Sequence, residues 1–256
     1  MPDSFFKRGI ANFFAFIILI AFAFPAIAEG AACKKMVYLS FDTGNMSVAQ
    51  VVSDVLNRQN VKATFFLANE KTSRGDYSLD DSWKTFWQDR LREGHHFGSH
   101  TYDHVYFIKN GPEKGVFERP QFGPKAGEVT LYNEGSFCEE IRRVDDRFRE
   151  LTGAPIQKIW RAPGGKTSPL LINMGNLCGY QHIGWSDAGF LGDELDSKAH
   201  PNAVLLDRAS RNLQDGDIAM AHLGIWSRKD PWAPAVLEKL ITNLKNRGFC
   251  FGTLPK

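Results

Sequence analysis

Met36-Val37-Tyr38-Leu39-Ser40-Phe41-Asp42-Thr43-Gly44-Asn45-Met46 is the stretch whose reading decides the fold. Its first six residues form an apolar run rich in β-branched and aromatic side chains, the composition of a buried strand. The run stops at Asp42-Thr43-Gly44. A helical pattern follows, with Val48, Val51, Val52, Val55 and Leu56 on one face and Ser47 and Gln50 placed as a capping box. A buried strand, a short polar turn and an amphipathic helix make one unit of a parallel sheet. The alternation continues to the end of the chain. Further strands are expected over 63–67, 95–99, 156–161, 180–185, 218–222 and 249–254. Helices are expected around Trp83 to Leu91, behind a second capping box at Ser136 and Glu139, after Ser168-Pro169, over 202–213 and over 234–247. Seven strands alternating with helices indicate an α/β fold, either a barrel or an open sheet. Between 106 and 135 the periodicity disappears among Gly, Pro, Lys and Glu, and a long functional loop is expected there.

The chain start carries a different signal. Lys7 and Arg8 precede an apolar run from Ile10 to Phe24 that ends in Pro25-Ala26-Ile27-Ala28. A basic start, an apolar centre and a small-x-small ending read as a secretory signal cut after Ala28. The run is shorter than the roughly 20 apolar residues of a spanning helix, so no stable membrane span is expected after cleavage. Residues 1–28 are thus read as a signal peptide and 29–256 as a single domain, exported to the periplasm or beyond. The net charge of +2 gives no reason to expect nucleic acid or an anionic membrane as the main partner. Cys33, Cys138, Cys178 and Cys250 can form disulfides in an exported protein, and four thiols allow three full pairings. None sits in a Cys-x-x-Cys pair, which argues against a zinc-thiolate site.

The reactive side chains collect in one place along this pattern. Asp42, His100, Arg161, Asp187 and His222 each fall at or just past the C-terminal end of an expected strand. Active sites of barrels and open parallel sheets are built at that end. His100 and His104 have a spacing at which two ring nitrogens can reach one metal ion. Two imidazoles beside a carboxylate suit metal-assisted hydrolysis, in which an ion lowers the pKa of a water and polarises a carbonyl oxygen. A carboxylate takes the proton of that water, and His222 can protonate a leaving amide nitrogen, which is otherwise a poor leaving group. Arg161 would keep Asp42 ionised and oriented by direct pairing.

Four motifs then carry a resemblance: Ser40-Phe41-Asp42-Thr43-Gly44, His100-Thr101-x-x-His104 preceded by the segment from Gly94 to Ser99, Arg161-Ala162-Pro163-Gly164-Gly165, and Ile218-Ala219-Met220-Ala221-His222. In order and spacing they resemble the polysaccharide deacetylase family, the NodB-like carbohydrate esterases of family 4. The resemblance implies a distorted (β/α)7 barrel and metal-dependent hydrolysis of an N-acetyl group from an amino sugar. It implies Asp42 as catalytic base, His100 and His104 as metal ligands, Arg161 as the residue holding the base, and His222 as the acid, with Asp187 tuning that acid. Zinc is the expected ion, with cobalt or nickel as alternatives. The expected partner is an N-acetylated glycan, peptidoglycan or another polymer containing N-acetylglucosamine.

This chain departs from the family pattern twice. Thr43 stands where the family has a second aspartate, the third metal ligand, and a hydroxyl in that role is neutral and weaker. Gly164 stands where an aromatic residue is usual. Its backbone N–H can still serve an oxyanion, but an aromatic wall is lost, and Trp226 and Trp232 could stack on a sugar ring instead. The first departure leaves open a glycan-binding pseudoenzyme; a deacylase such as a deformylase acting on a lipid-linked amino sugar is a further, separate alternative. In a barrel, Cys33 and Cys250 both belong at the bottom of neighbouring strands, and a Cys33–Cys250 disulfide is expected. Cys138 starts one helix and Cys178 ends the next, so these two are not expected to pair.

Overall fold

The computed structural model describes residues 33–254; the expected signal peptide and its cleavage point lie outside them. β1 (Lys35–Asp42) is the strand anticipated from the opening stretch, and its burial deepens from an exposed Lys35 to four fully enclosed residues at Asp42. β2 (Thr64–Leu67) and β3 (His96–Ser99) follow in parallel register, with Phe65 against Phe97 and Leu67 against Ser99. β7 (Ile159–Trp160) and β8 (Gln181–His182) extend the sheet in parallel. On the other side β9 (Ile218–His222) pairs with the upper part of β1, so that Asp42 and His222 are register partners. β10 (Phe249–Gly252) pairs with the lower part, Lys35 to Tyr38.

The seven strands curl into a distorted (β/α)7 barrel, and the distortion has a location. β8 and β9 do not pair. The irregular chain after β8 spans the gap, with the Ser186 N–H bonded to the Ile218 carbonyl at 3.1 Å and the Leu191 N–H to that of Met220 at 3.2 Å. Inside the curl lies a small cluster, Phe66, Ile159 and Leu254, flanked by Tyr38, Ile183 and Ile218. The main core lies outside it, between the sheet and the helices, where Leu39, Phe41, Phe65, Phe97 and Phe148 are fully enclosed. The helices are α1 (Ala49–Arg58), α2 (Lys84–Arg92), α3 (Glu134–Thr152), α4 (Pro169–Leu177), α5 (Asn202–Asn212) and α6 (Trp232–Asn246). Among the described residues no helix is long and apolar enough to cross a membrane.

Two expected capping boxes differ in the structure. At α1 the N-cap is Val48, with no side-chain cap; the Ser47 N–H donates to Asn45 Oδ1 instead. At α3 the helix starts earlier than expected. Asn133 caps it by accepting from the Ser136 N–H, and Ser136 is the third helical residue rather than the cap.

The expected loop over 106–135 is largely a second sheet, β4 (Val105–Asn110), β5 (Val116–Pro120) and β6 (Thr130–Tyr132), paired antiparallel. Its alternation is hidden in the sequence for two reasons. The inward face of β5 carries Glu118 between Val116 and Pro120, a charge where a strand pattern requires an apolar residue. β4 also shifts register between Phe107 and Lys109, which breaks the two-residue period.

Both disulfides form. Cys33 pairs with Cys250 at 6.0 Å between Cα atoms, tying the start of the domain to β10. Cys138 pairs with Cys178 at 5.3 Å, contrary to expectation. The reason is the close approach of α3 and α4 over Trp160. Phe137 packs against that ring at 5.0 Å, and a Cβ at Gly175 would fall 2.2 Å from its Nε1. Only glycine lets α4 come so near, which brings the end of α4 beside Cys138 in the second turn of α3.

Candidate active site

Asp42, Gly44, Glu70, His100, His104, Tyr106, Gly164, Trp185, Glu194, His222 and Trp226 line a cavity of about 140 Å³ at the C-terminal ends of the strands. β1, β2, β3 and β9 run toward it from the barrel core, which is why polar groups gather at this rim. Asp42, the last residue of β1, is 2% exposed. Its Oδ1 accepts from Arg161 Nη1 at 2.8 Å, and its Oδ2 lies 3.5 Å from His100 Nε2. Burial opposes ionisation of Asp42, but Arg161, His100 and His222 outweigh it and hold the carboxyl below the usual carboxylate range.

Arg161 is fully enclosed, and its guanidinium is fixed on every side. Nη2 donates to Ser40 Oγ at 2.9 Å and to the Gly184 carbonyl at 3.0 Å, Nε donates to the Ile183 carbonyl at 3.2 Å, and the plane stacks 4.0 Å from the Phe66 ring centroid. A cation anchored this rigidly leaves Asp42 one orientation.

His100 follows β3 directly. Its Nδ1 lies 3.0 Å from the Arg161 carbonyl, so that nitrogen carries the proton and Nε2 keeps its lone pair on the Asp42 side. Burial lowers its pKa to about 4, so the ring is neutral at physiological pH. The turn to His104 uses left-handed backbone at Thr101 (φ 61°) and at His104 itself (φ 50°), costly for residues with a side chain. Thr101 holds the turn together: its hydroxyl donates to the His100 carbonyl at 2.6 Å and accepts from the Val105 N–H at 2.9 Å. The two imidazoles stand 4.9 Å apart, and the buried His104 Nδ1 has no hydrogen-bond partner. A buried nitrogen left unpaired costs about 1–3 kcal/mol, which a bound ligand would relieve.

On β9, which pairs with β1, His222 faces the same cavity. Its partner is Asp193 and not Asp187, the residue the family resemblance implied. His222 Nδ1 lies 3.1 Å from Asp193 Oδ1, and Asp193 Oδ2 accepts the His222 backbone N–H at 2.7 Å. Asp187 begins a short 3-10 turn (Asp187–Gly189) in the gap-spanning chain and makes no bond to His222. Burial disfavours a charge on His222, but Asp193 and then Asp42 outweigh it and raise its pKa to about 10. At neutral pH the cavity therefore holds an ionised carboxylate and an imidazolium on adjacent strands, an acceptor and a donor of protons in matching states.

Three other expectations change in the structure. Thr43 is fully buried and does not line the cavity; its hydroxyl donates to Glu70 Oε1 at 2.5 Å and accepts from the Ala68 N–H at 3.2 Å. Its proton is committed to Glu70 and it is absent from the cavity lining, so it is not placed to bind an ion there. Trp232 is 3% exposed at the start of α6 and belongs to the core, whereas Trp226 is 64% exposed at the cavity mouth. The aromatic wall lost at Gly164 is supplied by Tyr106 of β4, whose Cε1 would lie 2.6 Å from a Cβ at Gly164. Gly164 also has φ 63°, which only glycine adopts without strain.

Among the residues that sequence reading missed are Tyr106 and Glu70, which line the cavity, and Asp193, which holds His222 from behind. Tyr106 lies in a strand whose pattern was broken. Asp193 was one of four carboxylates between Asp187 and Asp196, and nothing in their spacing selects it.

The donors suit a divalent ion, with His100 Nε2 unprotonated, an unpartnered nitrogen on His104, and carboxylates from Asp42 and Glu70. Among the described residues, no three His, Cys, Asp or Glu side chains already converge on one point.

Comparison with known proteins agrees with this fold. A family model described as polysaccharide deacetylase matches residues 29–183, which takes in Asp42, His100, His104 and Arg161 and ends before Asp193 and His222. A peptidoglycan-N-acetylglucosamine deacetylase of Bacillus cereus is 25% identical over 224 residues, covering 87% of this chain and 88% of that protein. The corresponding Listeria monocytogenes enzyme, PgdA, is 34% identical over 227 residues, covering 88% of this chain and 39% of the Listeria protein. Among solved structures, a family 4 acetyl xylan esterase from Clostridium thermocellum in complex with a cobalt ion has a TM-score of 0.63 at 21% identity, covering 86% of this chain and 88% of that one.

Proposed function

Because the chain belongs to the polysaccharide deacetylase family, we propose that it removes N-acetyl groups from the amino sugars of a glycan, with peptidoglycan as the first candidate. The observation that carries this reading is the Arg161–Asp42 pair at 2.8 Å, with His100 on one side and the His222–Asp193 pair on the adjacent strand. His100 and His104 would hold a divalent ion, zinc first and cobalt or nickel as alternatives; when bound, the ion would polarise the acetyl carbonyl and acidify a water.

The chain's own groups then move the protons. Asp42, ionised and fixed through Oδ1 by Arg161, takes the water proton at Oδ2. His222, held as imidazolium by Asp193, gives its proton to the amide nitrogen, so that the sugar leaves as an amine and acetate is released. Tyr106 and Trp226 flank the cavity, where their rings can stack on the sugar. The two disulfides favour an oxidising compartment, which accords with residues 1–28 acting as a signal for export and 29–256 as the mature domain.

The test is acetate release from N-acetylglucosamine oligomers and peptidoglycan fragments by the purified protein with added zinc, cobalt or nickel. Asp42→Asn should lower release by about 10²–10⁴-fold; undiminished release would remove Asp42 as the base. Thr43, in place of the family's aspartate, favours one competing reading: a glycan-binding protein with no turnover. Glycan binding with no acetate released under any of the three metals would establish it.

A further inference from the structure

We propose that Glu70 is the anionic metal ligand of this site, taking over from another loop the charge that Thr43 does not provide. The inference rests on the metal-dependent reading above. Glu70 follows β2, is 8% exposed and lines the same cavity as His100 and His104. A carboxylate so enclosed needs partners, and those it has are specific: Oε1 accepts from the Thr43 hydroxyl at 2.5 Å and from the Gly44 N–H at 2.8 Å. Oε2 has no hydrogen bond among the described residues. Thr43 thus acts as an anchor for Glu70. Its hydroxyl proton is committed to Glu70 while its lone pair receives the Ala68 N–H, which fixes the direction of that donation.

A second, independent observation points the same way. His104 Nδ1 is buried without a partner, and the two histidines sit on a turn with left-handed backbone at Thr101 and His104. Two imidazoles and one glutamate form a donor set used by catalytic zinc, with a position left for water. The three groups do not converge as they stand. Glu70 closes the set by turning its unbonded oxygen to the ion while Oε1 keeps its two donors.

Zinc and cobalt titrations of the metal-stripped protein test this without any assay of turnover. Calorimetry reads the affinity, and the visible absorption of bound cobalt reads the coordination. Wild type should bind one ion, and Glu70→Gln, which keeps a carbonyl for Thr43 and Gly44, should bind it at least about tenfold more weakly with an altered cobalt spectrum. Glu70→Gln/Thr43→Asp should recover the affinity, which also excludes misfolding as the cause. If Glu70→Gln binds as tightly as wild type while His100→Ala does not, Glu70 is not a ligand and the metal-dependent reading survives. If wild type binds no ion and His100→Ala is indistinguishable from it, both are overturned.

Discussion

Asp193→Asn is the substitution that isolates a single charge in this site. His222 stands at about 10 instead of 6.5, which corresponds to about 5 kcal/mol in favour of imidazolium. The geometry gives the same scale: unit charges 3.1 Å apart interact by about 5 kcal/mol at an effective dielectric of about 20. Asparagine keeps an oxygen for the Nδ1 proton and removes the charge. Burial, the largest influence on His222, is then opposed only by Asp42 and Glu194 and draws its pKa down, so the imidazolium present in wild type up to about pH 10 is lost at lower pH, toward neutrality. If His222 is the acid, acetate release by the variant should fall by roughly tenfold or more at pH 7.5 and recover toward pH 5.5, where Asp42 is still ionised. Wild type should hold its activity to far higher pH. A pH series of acetate release gives the limb, and NMR titration of the His222 ring proton gives the pKa directly. An alkaline limb that coincides with wild type, together with an unmoved ring titration, would refute the assignment of Asp193 as the residue that sets the acid.

Two further outcomes concern the domain around the site. Glu118 is 1% exposed with both carboxylate oxygens unpartnered, and burial followed by Glu140 raises its pKa to about 9. Its folded state retains a proton that the unfolded chain releases near 4.5, so its own contribution to stability is greatest below that pH and declines as pH rises toward 9. Glu118→Gln should therefore raise the melting temperature at pH 8, by about 2–4 °C for each kcal/mol gained, and change it little at pH 5; equal effects at the two pH values would contradict a buried neutral carboxyl. The Cys138–Cys178 bridge joins residues 40 apart, and replacing both cysteines by serine should cost about 2–4 kcal/mol in denaturant unfolding. Peptide mapping without reductant should recover Cys138 linked to Cys178 and Cys33 linked to Cys250; any other pairing contradicts the helix contact over Trp160.

Most of the barrel strands were legible because a parallel strand enclosed on both faces reads as a continuous apolar run, as in Val37 to Phe41 or Thr64 to Leu67, whereas the strands expected over 156–161 and 180–185 shrink to the two-residue β7 and β8. Their ends were legible for the same reason, since an abrupt Asp42, His100 or His222 after such a run marks the rim. The second sheet was not, because Glu118 occupies an inward position. The partner of His222 was not legible either. Asp193 lies in the irregular chain that spans β8 and β9, where no period ties sequence position to direction. Gly192 beside it, with φ 77°, is the sole local sign of a sharp reversal that turns the carboxylate back toward β9.

Both departures from the family motifs meet a residue from outside the motifs, through sterics at Gly164 and electrostatics at Thr43. A side chain at Gly164 and the ring of Tyr106 cannot occupy the same space, since a Cβ there would approach Cε1 to 2.6 Å. The missing aromatic residue at 164 and the tyrosine from β4 are one solution to a single wall. At Thr43 the logic is electrostatic. An aspartate there would place a second carboxylate against Glu70, which now accepts the threonine hydroxyl at 2.5 Å, and two anions at that separation repel strongly when buried. A neutral donor at 43 and an acid at 70 satisfy each other; two acids would not. A motif that looks damaged in the linear sequence is thus compatible with an intact set of groups in the folded chain, and the residues to compare are those that share the cavity rather than those that share the motif.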